Sequence, residues 1–170
     1  MRGARDRTAP RPGGGADAPG DRTVATNRRA RHDYAIEERF EAGIVLTGPE
    51  VKSLRTGRVS LADSFARVQG QEVWVENVHI PPYEMGDRRS QDPKRPRKLL
   101  LRREEIRRLT GKTAERGLTL VPLKIYFTRG LAKLELGLGR GKRTFEKRQA
   151  IADREHRREV ERAFSARRGR

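Results

Sequence analysis

The chain has 170 residues, enough for one ordinary domain with tails and too few for two full domains. Its residues are 34% hydrophobic, 37% charged and only 5% aromatic, which excludes a core fed by the whole length. Forty Lys and Arg against 23 Asp and Glu give a formal charge of +17, the footprint of a polyanionic partner, and 32 of those cations are Arg.

Cysteine is absent, so disulfide frameworks, thiol nucleophiles and Cys-ligated zinc are excluded. His32, His79 and His156 lie too far apart for a helical metal-binding pair, and no metal or other cofactor is expected. No apolar run approaches the roughly 18–20 residues that cross a bilayer, and the N-terminus lacks an apolar signal stretch. The expectation is a cytoplasmic protein with no membrane role. The ends are the charged parts: residues 1–31 carry +5, residues 32–138 carry +5 and residues 139–170 carry +7. A compact centre with two basic arms follows.

In chain order, Met1 to Thr23 is rich in Arg, Gly, Pro, Ala and Asp without apolar periodicity and reads as a disordered leader, taken here to extend to residue 26. Tyr34 to Leu46 alternates apolar and charged positions, as in a half-buried strand. Thr47 and Glu50 have capping-box spacing, and Gly57 can end a short helix begun there. Asp63–Gln69 and Glu72–Ile80 flank a Gly70-Gln71 turn and read as a hairpin, with Trp74 assigned to the core because Val73 and Val75 adjoin it. Residues 82–96 read as a polar loop. A second helix is predicted from Arg102 to Arg116, followed by a second hairpin from Leu118–Phe127 and Leu131–Leu138. About six short strands are most economically closed into an OB-like antiparallel β-barrel, mainly β with short helices; an open α+β sheet is the alternative. The predicted organisation is a leader over 1–26, a barrel over 27–138 and a basic tail over 139–170.

Catalysis finds little support. Gly137, Gly139 and Gly141 precede Lys142 without P-loop spacing, and Glu37 and Glu41 lack a third carboxylate. The motifs N27-R-R-A-R-H-D-Y34, F40-E-A-G-I-V-L-T-G48, E50-V-K-S-L-R55, D92-P-K-R-P-R-K-L-L-L101, G117-L-T-L-V-P-L-K124 and F145-E-K-R148 follow one another in order. Together they resemble the SmpB family of SsrA-binding proteins from about Asn27 to Arg162. The resemblance implies a monomeric OB-like RNA-binding adaptor that grips the tRNA-like domain of transfer-messenger RNA. It also implies delivery to stalled ribosomes for trans-translation, with the tail meeting small-subunit rRNA in the empty mRNA channel. The rival reading is a ribosomal or ribosome-assembly protein that holds rRNA permanently.

The resemblance assigns RNA contact to Glu41, Leu100 and Lys133. By chemistry, Lys133 suits a phosphate, whereas Leu100 is either core or a surface against an exposed base. Glu41 repels phosphate, so it either accepts hydrogen bonds from base amino or 2′-hydroxyl groups, orients a neighbouring Arg, or is an ordinary strand Glu. Asn27, Arg28, Arg29, Arg31 and His32 form a basic entry suited to RNA, and Lys142 in the Gly-Lys-rich exit joins them. Lys94, Arg95, Arg97 and Lys98 suit either phosphate or a charged rim. Phe145, Glu146, Lys147, Arg148, Ile151 and Arg154 are assigned to the decoding centre and mRNA channel, Phe145 as a stacking ring. Large apolar residues are too sparse in the tail to fold it alone, so helix is expected there on docking.

Overall fold

A computed structural model describes residues 21–86, 91–115, 117–143 and 151–162. Seven strands and three short helices follow the chain as β1 (Arg22–Thr26), α1 (Arg28–Asp33), β2 (Tyr34–Ile44), α2 (Gly48–Arg55), β3 (Phe65–Gln69), β4 (Glu72–Glu76), β5 (Arg97–Leu100), α3 (Arg103–Thr113), β6 (Leu118–Thr128) and β7 (Leu131–Gly141). Residues 151–162 are also helical.

Every pairing is antiparallel, and the pairings run round a ring: β7–β6–β3–β4–β5–β2 and back to β7. The ring is thinnest between β3 and β6, where one registered pair, Ala66 with Leu120, joins them. β1 adds to the remaining stretch of the β6 edge. The fold is therefore the expected OB-like β architecture with short helices, and closure of the ring is what removes most exposed strand edges.

The alternation of the long strands decides what lies inside. Phe40, Ala42 and Ile44 of β2 and Leu134, Leu136 and Leu138 of β7 fill the barrel, and Leu54 of α2 and Leu109 of α3 pack against it with no exposure. Glu41, Gly43, Lys133 and Glu135 are thereby turned outward. At the other end of the same ladder, Ala30 of α1 joins Val121 and Leu123 in a second small cluster against Tyr34 and Ile36.

Three elements differ from expectation. Residues 22–26, assigned to the leader, form β1; its partner strand supplies the ladder, and a register break between Thr23 and Ala25 erases the local alternation. α1 lies within what was read only as a basic entry to the first strand, because Ala30 alone anchors it and leaves no apolar period to detect. β5 emerges from the end of the loop as a four-residue strand, its Arg97 and Leu99 inward. The second strand of the first hairpin also stops early, at Glu76, where Asn77 turns the chain at φ +59°.

Candidate nucleic-acid interface

Cross-strand register assembles the outer face. Gly43 of β2 lies opposite Leu100 of β5 on one side and Lys133 of β7 on the other, and Lys133 in turn lies opposite Tyr126 of β6. Leu100, Gly43, Lys133 and Tyr126 thus form one row across four strands. In the neighbouring row Glu41 faces Glu135, which faces Lys124. Glu41, Leu100 and Lys133, drawn from three separate motifs, share this face. Leu100 is 55% exposed, which decides against the core alternative. The bare backbone of Gly43 lies beside it: a Cβ there would stand 3.3 Å from the Leu100 Cβ.

The charges on the face are organised around Glu41. One of its oxygens, Oε1, accepts from the Lys133 ammonium and the other, Oε2, from the Tyr126 hydroxyl. Burial pushes the Glu41 carboxyl up, but the hydrogen bonds from Lys133 and Tyr126, with the charges of Lys133 and Lys124, outweigh it and hold the carboxyl below its ordinary value. Burial and the hydrogen bond to Glu41 push the Tyr126 phenol well above its usual range, so it remains a neutral donor. The Lys124 ammonium sits 4.9 Å from the Tyr126 ring centre, and Arg39 pairs with Glu135 at 3.3 Å. Tyr126 and Lys124 were missed from sequence, since only the register of β6 on β7 brings them to Glu41.

A second basic region lies at the far end of the β2–β7 ladder, where Tyr34 opposes Gly141. Eight residues separate Lys133 from Gly141, roughly 26 Å along a strand. Arg28, Arg29 and Arg31 are exposed on α1, and the His32 Nδ1 lies 2.9 Å from the Asp33 carboxylate. Lys142 ties the exit of β7 to this helix: its backbone N–H donates to the Asp33 carbonyl at 2.8 Å and its ammonium to the Arg31 carbonyl at 3.3 Å.

Asn27 departs from its assigned role. Its Oδ1 accepts from the Ala30 N–H at 3.1 Å as the α1 cap, and its Nδ2 donates to the carbonyls of Leu61 and Pro122 at 3.2 and 3.0 Å. With the side chain 8% exposed and both donors and the acceptor engaged, Asn27 presents its neighbours rather than itself.

The basic run at 94–98 is also largely committed to the fold. The Arg97 guanidinium is fully buried and donates to Glu50 Oε1 at 2.8 Å and to the carbonyls of Val78 and Pro93 at 2.8 and 3.2 Å. Arg95 takes the same carboxylate in a fork at 2.9 and 2.6 Å, and the Thr47 N–H donates to it at 2.9 Å. The predicted capping carboxylate is thus the hub joining α2 to the loop before β5. Lys98 pairs with Glu72 on the outer face. Beside Leu100 a groove of about 710 Å³ opens between α3 and the β3–β4 turn, lined in part by Leu101, Arg103, Ile106 and Arg107.

Phe145, Glu146, Lys147 and Arg148 lie outside the described residues. Ile151 and Arg154 belong to the helix over 151–162, all of whose side chains are exposed. Among the described residues no three His, Asp or Glu side chains gather into a set able to hold a metal ion, and no helix is long and apolar enough to cross a membrane.

A small OB-like barrel carrying a mixed cationic and apolar outer face is the class of protein these features define. The chain belongs to the SmpB protein family, whose model matches residues 24–166. It is 60% identical over 149 residues to the SsrA-binding protein of Thermobifida fusca, covering 88% of this chain and 93% of that one. The SsrA-binding protein of Carboxydothermus hydrogenoformans is 56% identical over 147 residues, covering 86% and 99%. A solved structure described as "tmRNA-SmpB: a journey to the center of the bacterial ribosome" matches with TM-score 0.61 and 56% identity, covering 75% of this chain and 93% of that one.

Proposed function

We propose that this chain binds the tRNA-like domain of transfer-messenger RNA and delivers it, in the cytoplasm, to ribosomes stalled without a stop codon, where the tail enters the vacant mRNA path. The observation that carries the RNA-binding part is the shared outer face of Glu41, Leu100 and Lys133. Lys133 supplies charge to phosphate, Leu100 offers an apolar surface to a base, and Glu41 aims Lys133 by holding its ammonium beside the Tyr126 hydroxyl. Arg28, Arg29, Arg31, His32 and Lys142 form a second, more electrostatic footing. The two footings, roughly 26 Å apart along the ladder, suit a folded RNA better than a short single strand.

The role assigned to the chain is that of an adaptor rather than an enzyme, a reading supported by its membership of the SmpB protein family. Membership of the SmpB family argues against permanent rRNA binding as a ribosomal protein. Affinity for the tRNA-like domain of transfer-messenger RNA and for an unrelated hairpin of equal length should be measured at several salt concentrations. The expected result is much tighter binding to the former at every salt; equal affinities would reject the reading, because counterion release alone does not discriminate.

A further inference from the structure

The outer face continues past the residues that resemblance singles out. β4 places Trp74 opposite Lys98 of β5, and on its other side opposite Arg67 of β3. The β2–β5 register pairs Ile44 with Leu99, and the Val45 N–H donates to the Lys98 carbonyl at 3.0 Å, so Val45 is the next residue in that row. The β2–β7 ladder ends at Gly43 opposite Lys133; continued two residues in the same register, it would set Leu131 beside Val45. Trp74, Lys98, Val45 and Leu131 therefore make a row beside Leu100, Gly43 and Lys133.

This row is exposed where a closed barrel has no need of apolar groups. Val45 and Leu131 are 42% and 65% exposed, and together with Leu100 they account for three of the seven large hydrophobic residues exposed among the described residues. Trp74 is half-buried rather than core: Val73 and Val75 turn inward, and the indole stands on the outer side. Its N–H donates to Glu72 at 3.2 Å, and Glu72 also holds the Lys98 ammonium. The aromatic ring and the cation are therefore braced by one carboxylate, whose charge Lys98 offsets. Three strand spacings separate β4 from β7, roughly 14 Å across the sheet, room for two or three bases side by side.

We propose that the row Trp74, Lys98, Val45 and Leu131 is a platform on which unpaired bases of the bound RNA lie, continuous with the Leu100–Gly43–Lys133 row. The inference rests on the RNA-binding reading above and names further residues for it. The occupant is RNA rather than an apolar protein surface because cations border the apolar patch, Lys98 within the row and Lys133 beside it, and because the chain carries +17. An aromatic ring flanked by cations on an open sheet is suited to stacked bases with phosphates at the rim.

Trp74 is the one tryptophan of the chain, so its fluorescence reports this surface directly. Titrating the full-length protein with the tRNA-like domain of transfer-messenger RNA should quench or shift that emission at saturation. The double variant Val45→Thr/Leu131→Gln, which keeps strand-compatible side chains on the outer face, should bind roughly fivefold or more weakly with an unchanged salt slope, because apolar contact is lost and no phosphate contact is. The single variant Val45→Thr, close to isosteric, should show the same pattern to a smaller degree and keeps the test decisive if the double variant folds poorly. Unchanged Trp74 emission on binding, unchanged affinity of the variants, or a loss accompanied by a shallower salt slope would each overturn the platform. Failure of the wild-type protein to bind this RNA would instead reject the RNA-binding reading itself.

Discussion

Glu41 places a carboxylate on a face proposed to meet phosphate. Its geometry resolves the conflict, because each oxygen is occupied from within the protein and its charge is set against Lys133. On the proposed reading Glu41 acts through Lys133 as a positioning residue, a role measurable as non-additivity. Lys133→Ala should weaken RNA binding roughly tenfold and reduce the salt slope by about one unit, as expected when one charge-assisted phosphate contact is lost. Glu41→Ala should weaken binding in the wild-type background yet add less than about twofold in the Lys133→Ala background. Fully additive losses would mean that Glu41 meets the RNA directly. Sequence alone leaves three chemically sensible roles for Glu41, one of them orienting a neighbouring Arg; the cation it meets is Lys133 instead. What selects among them is the pairing of Glu41 with Glu135 and of Lys133 with Tyr126, both long-range.

At the scale of elements, the junction of α2 with β5 shows how a family motif can belong to the fold. Glu50 lies in E50-V-K, and Arg95 and Arg97 in D92-P-K-R-P-R, and the three meet in one buried ion cluster. Burial raises the Glu50 carboxyl, but the hydrogen bonds from Arg95 and Thr47 and the charge of Arg97 outweigh it and hold it below its ordinary value. A carboxylate depressed in the folded state contributes stability above its unfolded value, near pH 4.3, and that contribution is lost as pH falls through the folded value. Glu50→Gln leaves buried Arg97 without its counter-charge, so it should cost about 3–5 kcal/mol at pH 7 in denaturant unfolding. The variant should also show a flatter stability profile than wild type between about pH 5 and pH 2. Equal acid sensitivity in the two proteins would mean that this cluster does not govern the acid limb.

At the scale of the molecule, the proposed function divides the work between the barrel and the tail. The helix over 151–162 has every side chain exposed. A helix of this length without a packed face is marginal in water, even with Asp153 and Arg157 at i,i+4 spacing, so a docking surface must supply most of its stability. Removal of residues 144–170 should therefore leave affinity for the tRNA-like domain within about twofold, apart from a modest loss at low salt from removed charge, while abolishing rescue of ribosomes on truncated messages. Rescue by the truncated protein in a reconstituted translation assay would refute the division. Lys142 remains in that truncation, tied to α1, so the second basic footing is kept.

Local information in the chain determined the β-rich character, both hairpins and the two longer barrel helices, because alternation, turn residues and caps act over a few residues. It also determined the charge and hence the kind of partner, since net charge needs no coordinates. The edge strand β1, the six-residue α1 and the short β5 were not legible, because each is stabilised by a partner distant in sequence and carries almost no period of its own. Tertiary structure alone decided which charges face outward: Arg97 lies in the same basic run as Lys98 but is buried on Glu50, Leu100 proved exposed, and Trp74 left the core for the outer face. The reason is that a side chain's side of a sheet depends on strand register, and register is set by hydrogen bonds between segments up to about a hundred residues apart.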